Sequence, residues 1–310
     1  MKITALAGGI GASKFLLGLQ SAIPPTDLTV IANTGDDIDL LGLRICPDID
    51  TITYTLAGAV NPATGWGVEG DTFEALSWLA RYGAPTWFNL GDRDLATHLF
   101  RTSHLKSGKT LTEVTDLIRS SLGVRTAIIP MTDSYTPTLI DTDQGEMHLQ
   151  EYFVRLRCEP RVRGIRFRDI ETSNVAPGVE RALLDADVVI ICPSNPFISI
   201  GPILSVPTVA GTLEHTGAEV VAITPIIRGK ALKGPTAEML RDLGHEVSAT
   251  GVARLYRKIA GTFVLDSADA HLKGDIEELG YRVLVTDTLM VTLEDKQRLA
   301  KDVVAQLANR

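Results

Sequence analysis

Short apolar runs alternate along the chain with stretches in which apolar residues recur at helical spacing. The apolar runs predict strands at residues 2–7, 28–32, 86–90, 187–192, 220–224, 246–249, 262–265 and 281–285. The helical spacing predicts helices at residues 13–20, 51–57, 176–184, 252–259, 275–279 and 293–307. A regular succession of strand and helix favours a mainly parallel sheet with helices on both faces. We therefore predict a Rossmann-like three-layer α/β/α fold.

Residues 61–169 depart from this rhythm. Residues 61–123 are mainly helical in pattern, and Asp71 followed by Glu74 predicts an N-cap with a capping box. Residues 125–167 then alternate with a period of two. This predicts a hairpin turn at residues 143–145 and strands at residues 127–130, 138–141, 146–156 and 162–167. We expect a core of residues 1–60 and 170–310, with residues 61–169 as a helical and β insertion that contributes to the substrate site and shares some core strands.

Composition and charge narrow the class of protein. The chain has 310 residues, of which 45% are hydrophobic and 22% charged, as in ordinary globular proteins. The formal net charge of −8 argues against a nucleic-acid backbone as the main partner. No run approaches the roughly 20 apolar residues of a membrane span, and no signal peptide is recognisable. The three cysteines lack metal-ligand spacing, and we expect a cytoplasmic protein that needs no membrane.

A glycine-rich turn, GGIGASK at residues 8–14, joins the first predicted strand to the first helix. Its glycines would let the backbone approach a phosphate, and the helix N-terminus supplies N–H donors and positive potential. Lys14 stands where a dinucleotide fingerprint has its third glycine, and the phenylalanine after it does not fit a Walker A loop. The turn is either a generic phosphate-binding turn or a structural tight turn. Its candidate phosphate-binding residues are Gly8, Gly9, Gly11, Ser13 and Lys14.

An acidic stretch, ANTGDDIDLLGLRICPDIDT, follows the second predicted strand. Its five carboxylates are Asp36, Asp37, Asp39, Asp48 and Asp50. Carboxylates crowded at a strand end need a cation, a ligand or water, so the stretch is either a metal or ligand site or a solvated loop. Asp36 and Asp37 lie near the position of the acid that binds a ribose hydroxyl in dinucleotide folds. Asp48 and Asp50 either open a helix, where its dipole favours them, or converge on one ion.

A charged tetrad, GDRD at residues 91–94, follows the strand predicted at residues 86–90. Its position puts it at the carboxyl edge of the sheet. Arg93 either grips an anionic substrate or forms a salt bridge with a neighbouring aspartate. His98, one helical turn further on, is interpreted as a packed or capping histidine rather than a catalyst.

Two later loops complete this edge. The segment PSNP at residues 193–196 offers Ser194 and Asn195 to a phosphate or nucleoside, or is a proline-rich crossover turn. Residues 225–233 carry glycine and cations that suit a diphosphate. Open α/β sheets bind ligands at this edge, and no GxSxG elbow, HExxH motif or cysteine–histidine pair is present. Phosphate-binding turns beside aspartates predict phosphoryl-type transfer assisted by Mg²⁺.

Nine stretches, spread from end to end of the chain, carry a resemblance: GGIGASK, ANTGDD, CPDIDT, WGVEGDTFEAL, NLGDRDLATHLFR, MHLQEYFVR, CPSNPFISIGPIL, ITPIIRGKALKGP and TDTLM. With them the chain resembles the 2-phospho-L-lactate transferase family of coenzyme F-420 biosynthesis. The resemblance implies a guanosine diphosphate-linked donor of 2-phospholactate, or a phosphoenolpyruvate-derived equivalent, and the deazaflavin Fo as acceptor. A ribityl hydroxyl of Fo would attack the donor phosphorus and GMP would leave. Mg²⁺ and a homodimer are also implied.

The resemblance assigns roles to residues of this chain. The donor and its nucleotide are expected near Gly8, Gly9, Gly11, Ser13, Lys14, Asn33, Asp36, Ser194 and Asn195. Asp48 and Asp50 become candidates for metal binding or for contact with the Fo hydroxyl, and which does which is open. Arg93 becomes a candidate for substrate contact in catalysis. An apolar wall for the deazaflavin ring could come from three aromatic residues that otherwise belong to the core, Trp66, Trp87 and Phe88.

Two other functions compete with this interpretation. A non-enzymatic nucleotide-sugar-binding regulator of the related gluconeogenesis-factor family would share the glycine turn and the sheet. It would need neither an Fo pocket nor the NLGDRDLATH stretch. A nicotinamide-dependent dehydrogenase is disfavoured by Lys14 and by the lack of a clear proton-transfer residue. The sequence does not reveal which three-carbon acid the donor carries.

Overall fold

A parallel sheet of seven strands forms the centre of the structure, a computed structural model that describes residues 1–308. The strands of this sheet are, in chain order, β1 (Ile3–Ala7), β2 (Leu28–Ala32), β5 (Ala127–Pro130), β9 (Val188–Ile191), β10 (Glu219–Ile223), β13 (Thr262–Asp266) and β14 (Arg282–Thr286). The remaining strands form small antiparallel sheets: β3 (Ile38–Leu40) with β4 (Leu43–Ile45), β6 (Thr138–Thr142) with β7 (Gly145–His148) and β8 (Val162–Phe167), and β11 (Ile226–Ile227) with β12 (Lys230–Ala231).

Helices cover both faces of the seven-stranded sheet. The α-helices are α1 (Gly9–Ala22), α2 (Pro47–Leu56), α3 (Glu74–Arg81), α4 (Asp92–Lys106), α5 (Leu111–Ser121), α6 (Val179–Leu184), α7 (Gly201–Ser205), α8 (Val209–His215), α9 (Thr236–Asp242), α10 (Ala249–Tyr256), α11 (Lys273–Glu278) and α12 (Leu293–Ala308). Short 3₁₀-helices lie at Pro25–Asp27, Ile170–Thr172 and Ser267–Leu272, and π-helices at Glu151–Arg155 and Pro196–Ile200.

The alternation of side chains along β1 explains the layering. Ile3, Ala5 and Ala7 point into a buried cluster with α1, α2, α5 and α12. Leu6 points the other way, into a cluster formed with α6 to α11. Successive strand residues face opposite sides of the sheet, so β1, which is buried at all five positions, is covered by helices on both faces. The predicted three-layer α/β/α fold with a parallel sheet is confirmed.

The sheet extends from β1 in both directions: β2 and β5 lie on one side of it, and β9, β10, β13 and β14 lie on the other. The strand order is β14–β13–β10–β9–β1–β2–β5, so β1 pairs with both β2 and β9. Ala7 pairs with Ala32, and Leu6 pairs with Ile191, so the three strands end level. Their following loops meet at one edge, which is the arrangement that creates a binding crevice in open α/β sheets.

Residues 61–169 lie in the sequence between the core strands β2 and β9. They contain α3, α4, α5, the sheet β7–β6–β8 and the edge strand β5 of the main sheet. We therefore propose a division in which this segment is an insertion that contributes one strand to the core. The predicted hairpin at residues 143–145 is confirmed by the antiparallel pairing of β6 and β7.

Three predicted strands are wrong in whole or in part. Residues 86–90 form no strand. They lie in a loop that packs against the hairpin β3–β4, where Leu90 is buried and Trp87 and Phe88 are partly buried. The strand predicted at 146–156 ends at His148, because the next buried residues, Leu149 and Tyr152, have helical spacing. Residues 246–249 lead into α10 and form no strand.

The predicted capping of α3 by Asp71 is also wrong. α3 begins at Glu74, and the free N–H groups of Glu74 and Ala75 donate to Asp92 (3.0 and 2.9 Å). Asp71 instead accepts from the backbone N–H groups of Arg93 and Asp94 (2.8 and 3.1 Å), in the first turn of α4. The start of α3 is thus capped by Asp92 of α4, and the start of α4 is capped by Asp71, which precedes α3. Sequence spacing alone does not reveal such an exchange.

Within residues 1–308, no single helix is long and apolar enough to cross a membrane. The bent pair Pro196–Ser205 and Val209–His215, with an angle of 85°, meets the criterion by length and composition only. Its apolar side chains, Ile200, Ile203 and Val209 among them, are buried against the main sheet.

Candidate active site

A cavity of about 330 Å³ opens at the carboxyl edge of the sheet. Segments from both halves of the predicted core line it: the turn after β1, the acidic loop and α2, the loop after β9 and the loop after β10. The insertion supplies further walls, including Trp66, Phe88, Asp94 and Phe153. Four of the five predicted loops therefore line the cavity substantially. The fifth, residues 91–94, contributes Asp94 alone.

The glycine turn is the first turn of α1 rather than a loop before it. Gly9 has φ +73°, which an L-residue rarely adopts, and Gly11 lies against the loop after β9. A Cβ on Gly11 would be 2.3 Å from the carbonyl oxygen of Pro193. Glycine is required there because the backbones of two ligand-edge segments touch. Gly8, Gly9 and Gly11 all line the cavity.

The two polar residues of this turn behave differently. Ser13 is buried, and its hydroxyl donates to the Gly9 carbonyl oxygen at 2.8 Å, so it stabilises the helix start and does not line the cavity. Lys14 does line the cavity and donates to the Met290 carbonyl oxygen at 3.3 Å. Burial and the positive charges of Lys233 and Lys296 lower the pKa of Lys14. A cation held near other cations favours an anionic ligand.

The loop after β9 is tied to the glycine turn. Ser194 donates to the Gly8 carbonyl oxygen at 2.8 Å. Asn195 accepts from the N–H groups of Phe197 and Ile198, which caps the π-helix that follows. Both residues line the cavity, as predicted for a ligand loop. Their side chains fix the loop, which leaves its backbone to face a ligand.

Asn33 joins two carboxylates of the acidic stretch. Its amide nitrogen donates to Asp36 Oδ1 at 2.7 Å and to Asp48 Oδ2 at 2.8 Å. Burial raises the pKa of Asp48 to about 6, against hydrogen bonds from Asn33 and the Gly9 N–H. Burial and the charge of Asp48 raise the pKa of Asp36 well above its usual range. Two carboxylates that share a neutral amide lack the positive charge that a divalent cation would supply.

Asp50 belongs to a different network. Arg101, which is fully buried, donates through Nη1 to Asp50 Oδ2 at 3.1 Å and through Nη2 to Asp50 Oδ1. Burial lowers the pKa of Arg101, but the charge of Asp50 and its hydrogen bonds outweigh burial and raise it. The pair is therefore charged, with both Asp50 oxygens engaged. Asp48 and Asp50 both lie in the first turn of α2, which is one of the two arrangements considered for them, and each has a partner of its own.

The Asp50 network continues along α4. Nη1 of Arg101 is 3.2 Å from His98 Nδ1. His98 Nε2 is 3.4 Å from Asp94 Oδ1, and that oxygen accepts a hydrogen bond from the Tyr54 hydroxyl at 2.9 Å. Ligand atoms of Asp50, Asp94 and His98 lie within 4.8 Å of one another, a spacing that could hold a metal ion. Arg101 already supplies a positive charge to this group, which disfavours a cation there.

Arg93, expected to contact substrate, does not line the cavity. It is exposed, and its guanidinium donates to the Glu69 carbonyl oxygen at 2.8 Å. Of the three aromatic candidates, Trp66 and Phe88 line the cavity, whereas Trp87 packs edge-on against Phe88 with ring centroids 5.7 Å apart.

Sequence reasoning missed Tyr54 and Arg101 and did not assign a site role to Asp94 or His98. The signal for three of them was present, because Asp94, His98 and Arg101 follow each other at spacings of four and three on one helix face. A buried histidine was predicted, and His98 is only 1% exposed. That its neighbours are Asp50 and Arg101 depends on how α2 packs beside α4, which no local pattern shows.

The profile of one protein family, described as 2-phospho-L-lactate transferase CofD, matches residues 3–304. A phosphoenolpyruvate transferase of Streptomyces griseus subsp. griseus is 40% identical over 309 residues, covering 97% of this chain and 96% of the relative. One from Mycolicibacterium smegmatis is 39% identical over 311 residues, covering 95% of each. The crystal structure of a UPF0052 family member from Bacillus halodurans has a TM-score of 0.67 at 13% identity, covering 99% of this chain and 98% of that one. This last likeness shows a shared fold.

Proposed function

Because the chain belongs to the 2-phospho-L-lactate transferase CofD family, we propose that it transfers a phosphorylated three-carbon acid in coenzyme F-420 biosynthesis. The donor is a guanosine diphosphate-linked phosphoenolpyruvyl or 2-phospholactyl group, the acceptor is a ribityl hydroxyl of Fo, and GMP leaves. The observation that carries this proposal is one cavity in which the glycine turn, the acidic stretch and aromatic side chains meet. The names of the curated relatives favour the phosphoenolpyruvyl donor.

The donor occupies the side of the cavity nearest the first turn of α1. Backbone N–H groups of the glycine turn and the helix dipole hold phosphate oxygens there. Lys14 adds a positive charge, and the loop with Ser194 and Asn195 closes the other side of the turn. Ser13 acts indirectly, by holding the Gly9 carbonyl.

Mg²⁺ is held by Asp36 and Asp48 in this proposal, rather than by Asp48 and Asp50. Both residues line the cavity, and Asn33 keeps their carboxylates together. Hard oxygen ligands of this kind suit Mg²⁺, whereas both Asp50 oxygens bind Arg101. When bound, Mg²⁺ would neutralise the diphosphate and stabilise the leaving GMP.

The acceptor binds along the aromatic part of the cavity wall. Trp66 and Phe88 offer aromatic surface to the deazaflavin ring, which is a large apolar group with a polar rim. The ribityl chain then extends toward the carboxylates of Asp50 and Asp94. Holding donor and acceptor in one cavity converts a two-molecule reaction into a positioned one, and this is the main contribution that such an enzyme can make to phosphoryl-type transfer.

A second copy of the chain is the proposed partner of an exposed apolar surface. The helices α3 and α4 and the segments beside them leave large side chains in solvent: Phe73 at 48%, Trp78 at 50%, Tyr82 at 75%, Leu99 at 54% and Phe100 at 44% exposure. Surfaces of this kind mark protein interfaces. Sedimentation equilibrium would show a dimer, and Trp78→Ser with Leu99→Ser would shift it to monomer. A monomeric wild type would contradict this proposal.

The direct test is incubation of the full chain with Fo, each of the two guanosine-linked donors in turn, and MgCl₂. Mass analysis should detect the phosphodiester product and GMP, and omission of MgCl₂ should abolish both. Fo fluorescence provides a binding titration that is independent of turnover. Tight binding of nucleotide sugars with no binding of Fo and no GMP would instead indicate the non-enzymatic regulator.

A further inference from the structure

Asp50 and Asp94 line the cavity where the acceptor is proposed to bind. They differ in how many of their carboxylate oxygens accept hydrogen bonds. Both oxygens of Asp50 bind the Arg101 guanidinium. Asp94 uses only Oδ1, which accepts from the Tyr54 hydroxyl at 2.9 Å and lies 3.4 Å from His98 Nε2. Within residues 1–308 no hydrogen bond reaches Asp94 Oδ2. The Asp94 side chain is 12% exposed, twice the 6% of Asp50.

The protein holds Asp94 in one orientation. Its backbone N–H donates to Asp71 Oδ2 at 3.1 Å, which fixes the start of α4. The Tyr54 hydroxyl lies between Asp94 and Thr97, 2.7 Å from the Thr97 hydroxyl, so the ring cannot turn away without losing two contacts. Because Oδ1 accepts the hydrogen bond of the Tyr54 hydroxyl, Oδ2 is the oxygen available to a ligand.

The neighbours of Asp94 also favour its ionised form. A guanidinium can only donate, so the contact between Arg101 and His98 Nδ1 makes Nδ1 the acceptor and leaves the hydrogen on Nε2, which faces Asp94. Burial raises the pKa of Asp94, but His98, the Tyr54 hydroxyl and the charge of Arg101 outweigh burial and lower it. Asp94 is therefore an anion at neutral pH.

We propose that Asp94 is a catalytic residue that accepts the hydrogen bond of the attacking acceptor hydroxyl through Oδ2, and that Arg101 and Tyr54 are positioning residues. This inference rests on the transferase function proposed above. As the hydroxyl oxygen bonds to the donor phosphorus, its proton passes to Asp94. The bond from phosphorus to GMP breaks, and GMP leaves with the electron pair of that bond. Asp50 acts through Arg101 and does not touch the hydroxyl.

The decisive variant is Asp94→Asn, which keeps an oxygen for Tyr54 and replaces the free oxygen by an amide that cannot take a proton. We expect kcat to fall by about 10²- to 10⁴-fold, the range for loss of a general base, with the KM for the donor and the melting temperature nearly unchanged. Asp141→Asn, at an exposed position of β6, is the matched control. A variant Asp94→Asn that retains more than a tenth of wild-type kcat would overturn the role of Asp94.

The positioning role has its own readout. Tyr54→Phe removes the hydroxyl that holds Oδ1 and should lower kcat about tenfold or more without raising the KM for the donor, because Tyr54 contacts Asp94 and Thr97 and not the glycine turn proposed to hold the donor. A change confined to the donor KM, or an unchanged kcat, would contradict positioning through Asp94. If wild-type protein itself releases no GMP from the donor and Fo, the transferase proposal fails and this role fails with it. Active wild type with active Asp94→Asn refutes the role of Asp94 alone.

Discussion

Replacement of Arg101 by methionine should destabilise the protein strongly. Arg101 is fully buried, and its guanidinium contacts both oxygens of Asp50, which is itself only 4% exposed. Methionine is flexible enough to fill much of the space of the arginine stem. The variant therefore changes charge more than packing, and it leaves the Asp50 carboxylate buried without a cation.

The expected cost follows from the burial of the pair. Removing one partner of a buried ion pair costs about 3–5 kcal/mol, because the other charge remains without compensation. An unfolding entropy of about 2.1 cal/mol/K per residue gives about 0.65 kcal/mol/K for a chain of 310 residues. The melting temperature should therefore fall by about 5–8 °C.

Thermal unfolding at two pH values tests the reasoning. Burial raises the pKa of Asp50, and Arg101 is the strongest of the groups that oppose this effect, so its removal should raise the pKa of Asp50 further. A carboxyl whose folded pKa lies above its unfolded value stabilises the fold at low pH and loses that effect as pH rises. Arg101→Met should therefore lose more stability at pH 8 than at pH 5, and adding Asp50→Asn should restore part of the loss. A loss below about 1 kcal/mol at pH 8, as for an exposed pair, would refute the argument.

Three further outcomes are expected. The pKa of Asp48 is about 6, above its unfolded value of about 3.9, so the metal-free protein should lose stability as pH rises through about 6. Adding Mg²⁺ should restore this stability. In a calorimetric pH series, Asp48→Asn should flatten both the pH effect and the Mg²⁺ effect. Gly11→Ala should cost about 1–3 kcal/mol in urea unfolding and raise the donor KM, since its Cβ would meet the Pro193 carbonyl; an unchanged donor KM would count against the phosphate turn. Trp66→Ala should weaken Fo binding about tenfold in fluorescence titration while leaving GDP binding as it is; equal weakening of both would contradict an acceptor wall.

The core of the fold was predictable because its signals are local. Strands β1, β2, β9, β10 and β13 are short and mostly apolar, and nearly all of their residues are buried. Errors arose where apolar residues are buried without a neighbouring strand. Trp87 and Phe88 fill a small cluster from a loop, and Leu149 and Tyr152 reach another from a helical segment. A pattern of apolar residues predicts burial better than it predicts backbone pairing.

The candidate site was predictable to the level of segments. The glycine turn, the acidic stretch and the loop after β9 meet at one cavity, as parallel strands require. The partner of each carboxylate was not predictable. Asp48 shares Asn33 with Asp36, whereas Asp50, two residues later, binds Arg101 from α4. Asp48 and Asp50, two residues apart in the first turn of α2, point to different sides of the helix, and only the packing of the surrounding elements determines what each one contacts.

The exchanged caps of α3 and α4 make the two helix starts a single cooperative unit. If Asp71 loses its hydrogen bonds to the first turn of α4, the segment that carries Asp92 is loosened. If Asp92 loses its hydrogen bonds to α3, the segment that carries Asp71 is loosened in turn. Their amide protons should therefore exchange with solvent through one shared opening rather than by independent fraying. Since Asp94 lies in that turn, its alignment is lost whenever this unit opens. The lifetime of a small capping motif at the protein surface would then limit how long the acceptor side stays assembled.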